Sequence, residues 1–595
     1  MGVPRFGLSL RCPRSSSWAR FNRPSRANQG SFSCYVSNPL NAPFKKYAKN
    51  RRESGTLILY EPSDTRLYWK PLLMRMFEVL FLAVPFLLAV VGARSVGGRD
   101  VAFSDPAGKA WLTVDHARDL DTAAPAEGHR LRPEVDTESL LRNPATGWML
   151  YDDASGAVAR ADEYWKAMDE AARKHASIFY LRWRWAEAEP EEGRYAWLYD
   201  PNFKALIEGA RQRHLRLAFR FYVNSQDNIR QATPDYVHQA GAEGVMEDGA
   251  GKKLWTPYAD DPVFQKKLSA FVSAFAKEFD DPARVDFVDA LGLGWWGEGH
   301  HIQFKNPANS DQVLRWILDT YSKSFHHVLL GWQFDTTFGM RDDEDLAIKG
   351  EDYVYRRDGL GSHWFSAAEK AACLRLFPRH PLYAERCYWA GDENTPAWAA
   401  KQDPEFGSRF KSWHDMDSIA IDQGLEYHAN TLDLRTVTDV KRFLTYPELI
   451  EKFTREGGYR LAPVEVACPE VVKPGDDLVI RHAWVNLGVG VLPDYNRRWG
   501  QKYRPAFALL ANGATAPDVR NTWIASDAEP GDWLRGSVHA YTLRGKVAAE
   551  TPPGRYKIVC GILNTRADGG PDLQLAIKSE RIGSWHVIGK MEVKR

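Results

Sequence analysis

From about residue 143 the chain alternates short apolar, β-rich runs with amphipathic stretches of helical period. The first run is Trp148 to Tyr151, followed by a helix over 160–174. Ser177 to Trp185 forms the second, a helix near 201–213 follows, and Leu215 to Val223 forms the third. The next helix carries its own start signal: Asp261 as N-cap, Pro262 at the first position, then Phe264, Leu268, Phe271, Phe275 and Phe279 on one face. Val285 to Leu293 is the fourth strand, a helix covers 310–323, and Val328 to Phe334 is the fifth. Shorter runs at Tyr353–Tyr355, Pro381–Glu385 and Leu425–Ala429 complete a set of eight. Strands separated by helices predict a parallel sheet covered by helices, and eight such repeats predict a (β/α)8 barrel over 143–459. A doubly wound sheet is the runner-up, but no GxGxxG follows the first strand.

After about 460 the helical period stops. Val464–Val466, Asp477–Val485, Arg504–Leu510, Gly536–Tyr541, Tyr556–Cys560 and Trp585–Ile588 alternate or run apolar between Gly, Pro and Asp turns. This pattern predicts an all-β sandwich over 460–595. Residues 94–142 are polar and without clear period, and are expected to be a linker with at most one short strand.

Composition changes this picture at the N-terminus. Residues 1–75 hold 14 basic and three acidic residues, whereas the remainder holds 64 basic and 74 acidic. A mildly acidic body gives no reason to expect a nucleic-acid partner, because phosphate binding needs clustered positive charge. Within the basic segment, Met74-Arg-Met precedes an apolar run from Val79 to Val91, closed by the small residues Val91-Gly-Ala93. The run is short for a membrane span and contains Pro85, so residues 74–93 are expected to be a secretory signal, or an uncleaved anchor tethering the protein to a membrane. The expected location is therefore secreted or periplasmic. Residues 1–73 are expected to be disordered, or a wrongly assigned segment upstream of a true start at Met74 or Met76. In an oxidising compartment, Cys373, Cys387, Cys468 and Cys560 suggest the bridges Cys373–Cys387 and Cys468–Cys560, one of three possible pairings. No cysteine spacing resembles a zinc site, and no cofactor is expected.

In such a barrel the active site lies at the C-terminal ends of the strands. Glu298, in GLGWWGEGHH after the fourth strand, and Glu385, at the end of the seventh, are placed there. Two carboxylates across a barrel mouth can divide glycosidic bond cleavage, one donating a proton to the leaving oxygen and the other attacking the anomeric carbon. The walls of Trp295 and Trp296 would raise the pKa of the acid by desolvation. Glu393 and Glu426 compete with Glu385 for the second role. Strand parity turns Arg182 and Arg184 inward on the second strand, and Arg220 and Tyr222 inward on the third. An inward arginine would keep the nucleophile ionised. Trp185, Trp296, His300, Asp335, Trp389 and Asn430 are the remaining expected sugar contacts. Adjacent His300 and His301 diverge on extended chain, so a metal site is not expected from them.

Trp185, Glu189, Pro190, Gly193 and Tyr195 in RWRWAEAEPEEGRYAW resemble the W-x-x-x-E-P-x-x-G-x-Y segment after the second strand of clan A glycoside hydrolases, including β-galactosidase-type families. The resemblance spans about 143–595. It implies Glu298 as acid/base, Glu385 as nucleophile, and retention through a covalent glycosyl-enzyme intermediate. It departs at Gly297, where family members carry an Asn that binds the sugar 2-hydroxyl. The layout from NPATGWMLYDD through WWGEGHH to the terminal β-rich region is closer still to a group of bacterial secreted proteins of unknown function. The expected substrate is an oligo- or polysaccharide. The competing reading is the same barrel binding a polysaccharide without turnover.

Overall fold

The computed structural model describes residues 101–104, 110–114, 129–152, 159–224, 230–249, 252–333, 344–390 and 395–595, all within the compact unit Ser95–Arg595. The expected signal at 74–93 and the upstream residues lie outside the described residues. Among the described residues, no helix is long and apolar enough to cross a membrane.

Eight parallel strands close into a barrel: β1 (Gly147–Tyr151), β2 (Ala176–Arg184), β3 (Arg216–Tyr222), β4 (Val285–Asp289), β5 (Leu329–Gln333), β6 (Val354–Leu360), β7 (Leu382–Arg386) and β8 (Ala429–Leu434). Each pairs with its sequence neighbour, and β8 pairs with β1. Helices cover the outside because their apolar faces match the outward residues of the strands. Pro262–Phe279 is the clearest case. Asp261 accepts from the Phe264 N–H, Pro262 opens the helix, and Phe264, Leu268, Phe271, Phe275 and Phe279 are buried. The Phe275 ring meets Phe219 of β3 edge-on with centroids 5.0 Å apart, and the Phe271 ring meets Phe221 in the same way.

The eighth strand corrects the expectation of 425–429. Leu425 and Glu426 end the helix Trp413–Glu426, and the strand begins at Ala429. The alternation of Leu425, Tyr427 and Ala429 imitates a strand, but the helix is capped by Ser412, well before Leu425, and runs through to Glu426. The sixth strand also extends past Tyr355 to Leu360.

The interior of the barrel changes character along its axis. Met149, Ile178, Ala218, Phe287, Leu329, Val354 and Tyr383 fill the end nearer the strand starts. Two residues further along the same inward faces, or four on β2, the side chains become Arg182, Arg220, Asp289, Arg356 and Glu385. The apolar end is continuous with the core of the C-terminal region.

That region holds two sheets. One orders Val538–Lys546, Asp477–Asn486, Leu461–Cys468 and His129–Leu131; the other orders Val471–Val472, Trp585–Val593, Gly554–Asn564, Tyr503–Ala511 and Thr522–Ile524. Leu478 and Ile480 from the first share a core with Phe507 and Ile558 from the second. The expected linker thus supplies a sandwich strand at 129–131, and Glu134–Val135 pairs with Ile577–Lys578. Cys373, Cys387, Cys468 and Cys560 are all free, so neither expected bridge forms. Cys468 and Cys560 belong to different sheets, and both, like Cys373, are buried as small apolar side chains.

Candidate active site

The ladder of β4 stops at Asp289, and residues 290–301 turn sharply over the mouth of the barrel. Trp295 N–H donates to the His300 carbonyl at 2.7 Å and Glu298 N–H to the Trp295 carbonyl at 3.0 Å, folding the segment onto itself. Gly294 sits at φ +75°, and a Cβ there would stand 2.5 Å from the His300 carbonyl oxygen, so the turn closes only over glycine. Asn224, beyond the end of β3, accepts from the Gly294 N–H at 3.0 Å. The turn is fixed at both ends, and it aims Glu298 into the barrel.

There Glu298 meets a buried set of charges. Arg220 of β3 donates from Nη1 to Glu298 Oε1 at 2.6 Å and from Nη2 to Glu385 Oε1 at 3.0 Å. The same guanidinium donates from Nε and Nη2 to Asp289 Oδ2 at 2.9 and 2.7 Å. Arg356 of β6 repeats the bridge. Its Nη2 lies 3.4 Å from Glu298 Oε1 and also contacts Glu385 Oε1, while its Nη1 donates to Gln333 Oε1. Two carboxylate oxygens that share one nitrogen are at most about 6 Å apart, the span of two hydrogen bonds. Arg435, just past β8, donates from Nη2 to Glu385 Oε2 and from Nε to Asp433 Oδ2 at 2.9 Å. Tyr180 donates to Asp289. Glu385, Arg220 and Arg356 are all 2% exposed or less.

This arrangement reverses one expectation. Burial by itself would raise the Glu298 pKa, but Arg220 and Arg356 outweigh it, with smaller help from His300 and Arg182. The carboxyl is held well below the ordinary carboxylate range, so the Trp295 and Trp296 walls do not keep it protonated. His300 Nε2 is 3.9 Å from Glu298 Oε2, and its ring meets Trp296 edge-on at 5.7 Å. His301 instead stacks on Trp295 at 3.8 Å. Among the described residues, no group of three His, Cys, Asp or Glu side chains could hold a metal ion.

The other expected residues divide. Arg220 lies at the centre of the charge set, Arg182 reaches the mouth with its guanidinium 5.6 Å from the Tyr151 ring centroid, and Trp389 lies 4.0 Å from the Arg435 guanidinium. Tyr222 is fully buried on the inward face of β3, and its hydroxyl has no partner among the described residues. Trp296 is half-buried at the turn, where its carbonyl accepts from Arg220 at 3.3 Å. Arg184 pairs with Glu187 after β2 and donates to the Gln231 carbonyl after β3, rather than reaching the carboxylates. Asp335 and Glu393 lie outside the described residues.

Two expectations are corrected. Trp185 is 0% exposed, packed against Phe264 and Phe271 in the helix layer, because outward parity puts it there. Its Nε1 donates to Glu189 Oε2 at 2.9 Å, and Glu189 also accepts from Gly193 N–H at 2.8 Å and from the Tyr236 hydroxyl at 2.8 Å. The Trp185–Tyr195 segment is thus a loop-closing unit. Asn430 lies near the start of β8, at the opposite end of the barrel from the carboxylates, where it donates to the Ala145 carbonyl ahead of β1 at 3.1 Å and to the Val491 carbonyl of the C-terminal region at 2.9 Å. The late placement of strand eight caused this displacement. Glu426, exposed at the end of the preceding helix, is at that end too.

Arg356, Asp289 and Arg435 are site residues that the sequence pattern did not single out. Arg356 shares the inward parity of Val354, but the expected sixth strand ended one residue before it. With β8 placed at 429–434, Asp433 and Arg435 would have fallen at its end.

No protein-family model and no curated protein matches the chain. Among solved structures, it is similar to endo-glycoceramidase II from a Rhodococcus species, with 11% identity over 69% of this chain and 100% of that one, TM-score 0.34. It is also similar to the endo-β-1,4-glucanase B of Bacillus halodurans, with 12% identity over 71% and 76% of the two chains, TM-score 0.34. The endo-1,4-β-mannanase of Rhizomucor miehei shares 10% identity over 48% and 84%, TM-score 0.31. Likeness at this level carries nothing about the chemistry, which rests on the site itself.

Proposed function

We propose that the chain is a glycoside hydrolase that cleaves an oligo- or polysaccharide with retention, Glu385 attacking the anomeric carbon and Glu298 serving as acid/base. The supporting observation is the shared Arg356 Nη2, which brings the two Oε1 atoms within about 6 Å. Retaining pairs stand about 5–5.5 Å apart, whereas inverting pairs leave about 6.5–9.5 Å for a water. Contacts from Arg220, Arg356 and Arg435 favour an ionised Glu385, as a nucleophile requires. The apolar run before Ala93 supports a secreted or periplasmic location.

A second reading, glycan binding without turnover, is favoured by one observation. A general acid must carry a proton, and Arg220 and Arg356 hold Glu298 ionised. Turnover separates the readings. The intact chain should hydrolyse at least one member of a glycan panel, with first-formed product of unchanged anomeric configuration by NMR. Glu298→Gln and Glu385→Gln should each reduce kcat at least about 100-fold. Activity surviving both substitutions rejects the mechanism, and no activity on any glycan favours the binding protein.

A further inference from the structure

On the β6–β7 side of the mouth stand aromatic residues that the carboxylate chemistry leaves unused. Trp364 follows β6, Tyr388 follows β7, and Trp398 stands on the helix Pro396–Gln402, capped by Thr395. Trp364 and Trp398 are each 37% exposed, and both pack against Tyr388, with ring centroids 6.1 and 6.5 Å away. Scattered surface apolar residues need no explanation, but two indoles joined through one buried ring, three residues beyond Glu385, are not scattered.

Their footing is built. Tyr388 belongs to a small apolar cluster with Phe406, Phe410, Met416 and Ile419, separate from the barrel core. Its hydroxyl donates to Asp403 Oδ2 at 3.2 Å, and the same carboxylate oxygen accepts the His363 N–H at 2.9 Å. The partly exposed His363 ring lies 4.7 Å from that of Trp364. Flat apolar faces on a fixed base, with a polar ring at the edge, suit pyranose units, whose C–H faces are apolar and whose rims carry hydroxyls. The platform is continuous with the reaction centre, because Trp389, next to Tyr388, packs on Arg435, which holds Glu385.

We propose that Trp364 and Trp398 stack further sugar units of the chain whose reacting bond lies between Glu298 and Glu385. The preferred ligand is therefore an oligo- or polysaccharide rather than a single glycoside. This inference rests on the proposed reading of the mouth as a glycan site, not on turnover. It is tested in the intact protein with Trp364→Ala, Trp398→Ala, the double variant, and Trp398→Phe as a form that keeps the underlying packing. Calorimetric titration uses the β-1,4-linked hexaoses and bioses of glucose, mannose and xylose, with light scattering for mass and a parallel assay of wild-type hydrolysis.

Wild type should bind at least one hexaose more tightly than the matching biose. Each alanine should reduce that advantage about three- to tenfold, and phenylalanine should reduce it less. An unchanged advantage in the double variant, or no hexaose binding by wild type, overturns the platform. A wild-type dimer that the substitutions dissociate without affecting glycan affinity also overturns it, making the face a contact between copies. Hexaose binding lost in the variants, with no hydrolysis by wild type, keeps the platform and removes the hydrolase. Hydrolysis by wild type with no loss of hexaose affinity in the variants does the reverse.

Discussion

Arg356 shows how one buried side chain sets the state of two others. It contacts Glu298, Glu385 and Asp289, and is itself 2% exposed. Removing one partner of such a set leaves uncompensated charge in a medium that solvates it poorly. Arg356→Ala is therefore expected to destabilise the protein by about 3–5 kcal/mol in denaturant unfolding. The pH dependence follows with the same sign. Glu298 is depressed in the folded state, so its contribution is present above its ordinary value of 4.5 and is lost as the pH falls below it. In Arg356→Ala the depression shrinks, and the contribution lost between pH 6 and pH 3 should be smaller than in wild type.

At the scale of the element, the turn after β4 accounts for the departure at Gly297. Its φ is +76°, and a Cβ there would lie 3.2 Å from both Arg220 Cδ and Tyr222 Cβ. The backbone that aims Glu298 at Arg220 is left-handed and crowded at this position, which disfavours the asparagine found in the resembled family. Gly297→Asn should cost roughly 1–2 kcal/mol of stability through the left-handed conformation and the two close contacts. It should lower Tm and leave kcat on any substrate no higher than wild type. A gain in kcat would show that the turn yields to the asparagine side chain.

For the whole molecule, the decisive contact is between the apolar end of the barrel and the C-terminal region. Asn496 Nδ2 donates to the Asp352 carbonyl at 2.5 Å, and Arg498 Nη1 to the Glu351 carbonyl at 3.1 Å, in the segment that joins two sandwich strands. Asp494 anchors this segment from within, accepting from the Lys502 N–H at 2.9 Å. Burial first, and then the Glu529 carboxylate beside it, push the Asp494 pKa up to about 8, against the pull of Arg504. An acid raised in the folded state contributes stability below its ordinary 3.8, lost as the pH rises through about 8. Wild type should therefore lose Tm between pH 6 and pH 9. Asp494→Asn, which keeps an acceptor oxygen and carries no charge, should lose less.

Much of this protein is legible along the chain. The alternation of strands and helices from Trp148 to Phe334 specifies the barrel, because inward and outward residues face different surroundings at period two and helices cover one face at period 3.6. Parity also determines that Arg220 and Glu385 point inward, while Trp185 points out into the helices. Glu298 is legible as a glutamate at a strand end, but its charge state is not. That state depends on Arg220 and Arg356, which lie 78 and 58 positions away and meet it only when the barrel closes. Desolvation and Coulomb attraction oppose each other at Glu298, and only the distances of tertiary structure decide which is larger.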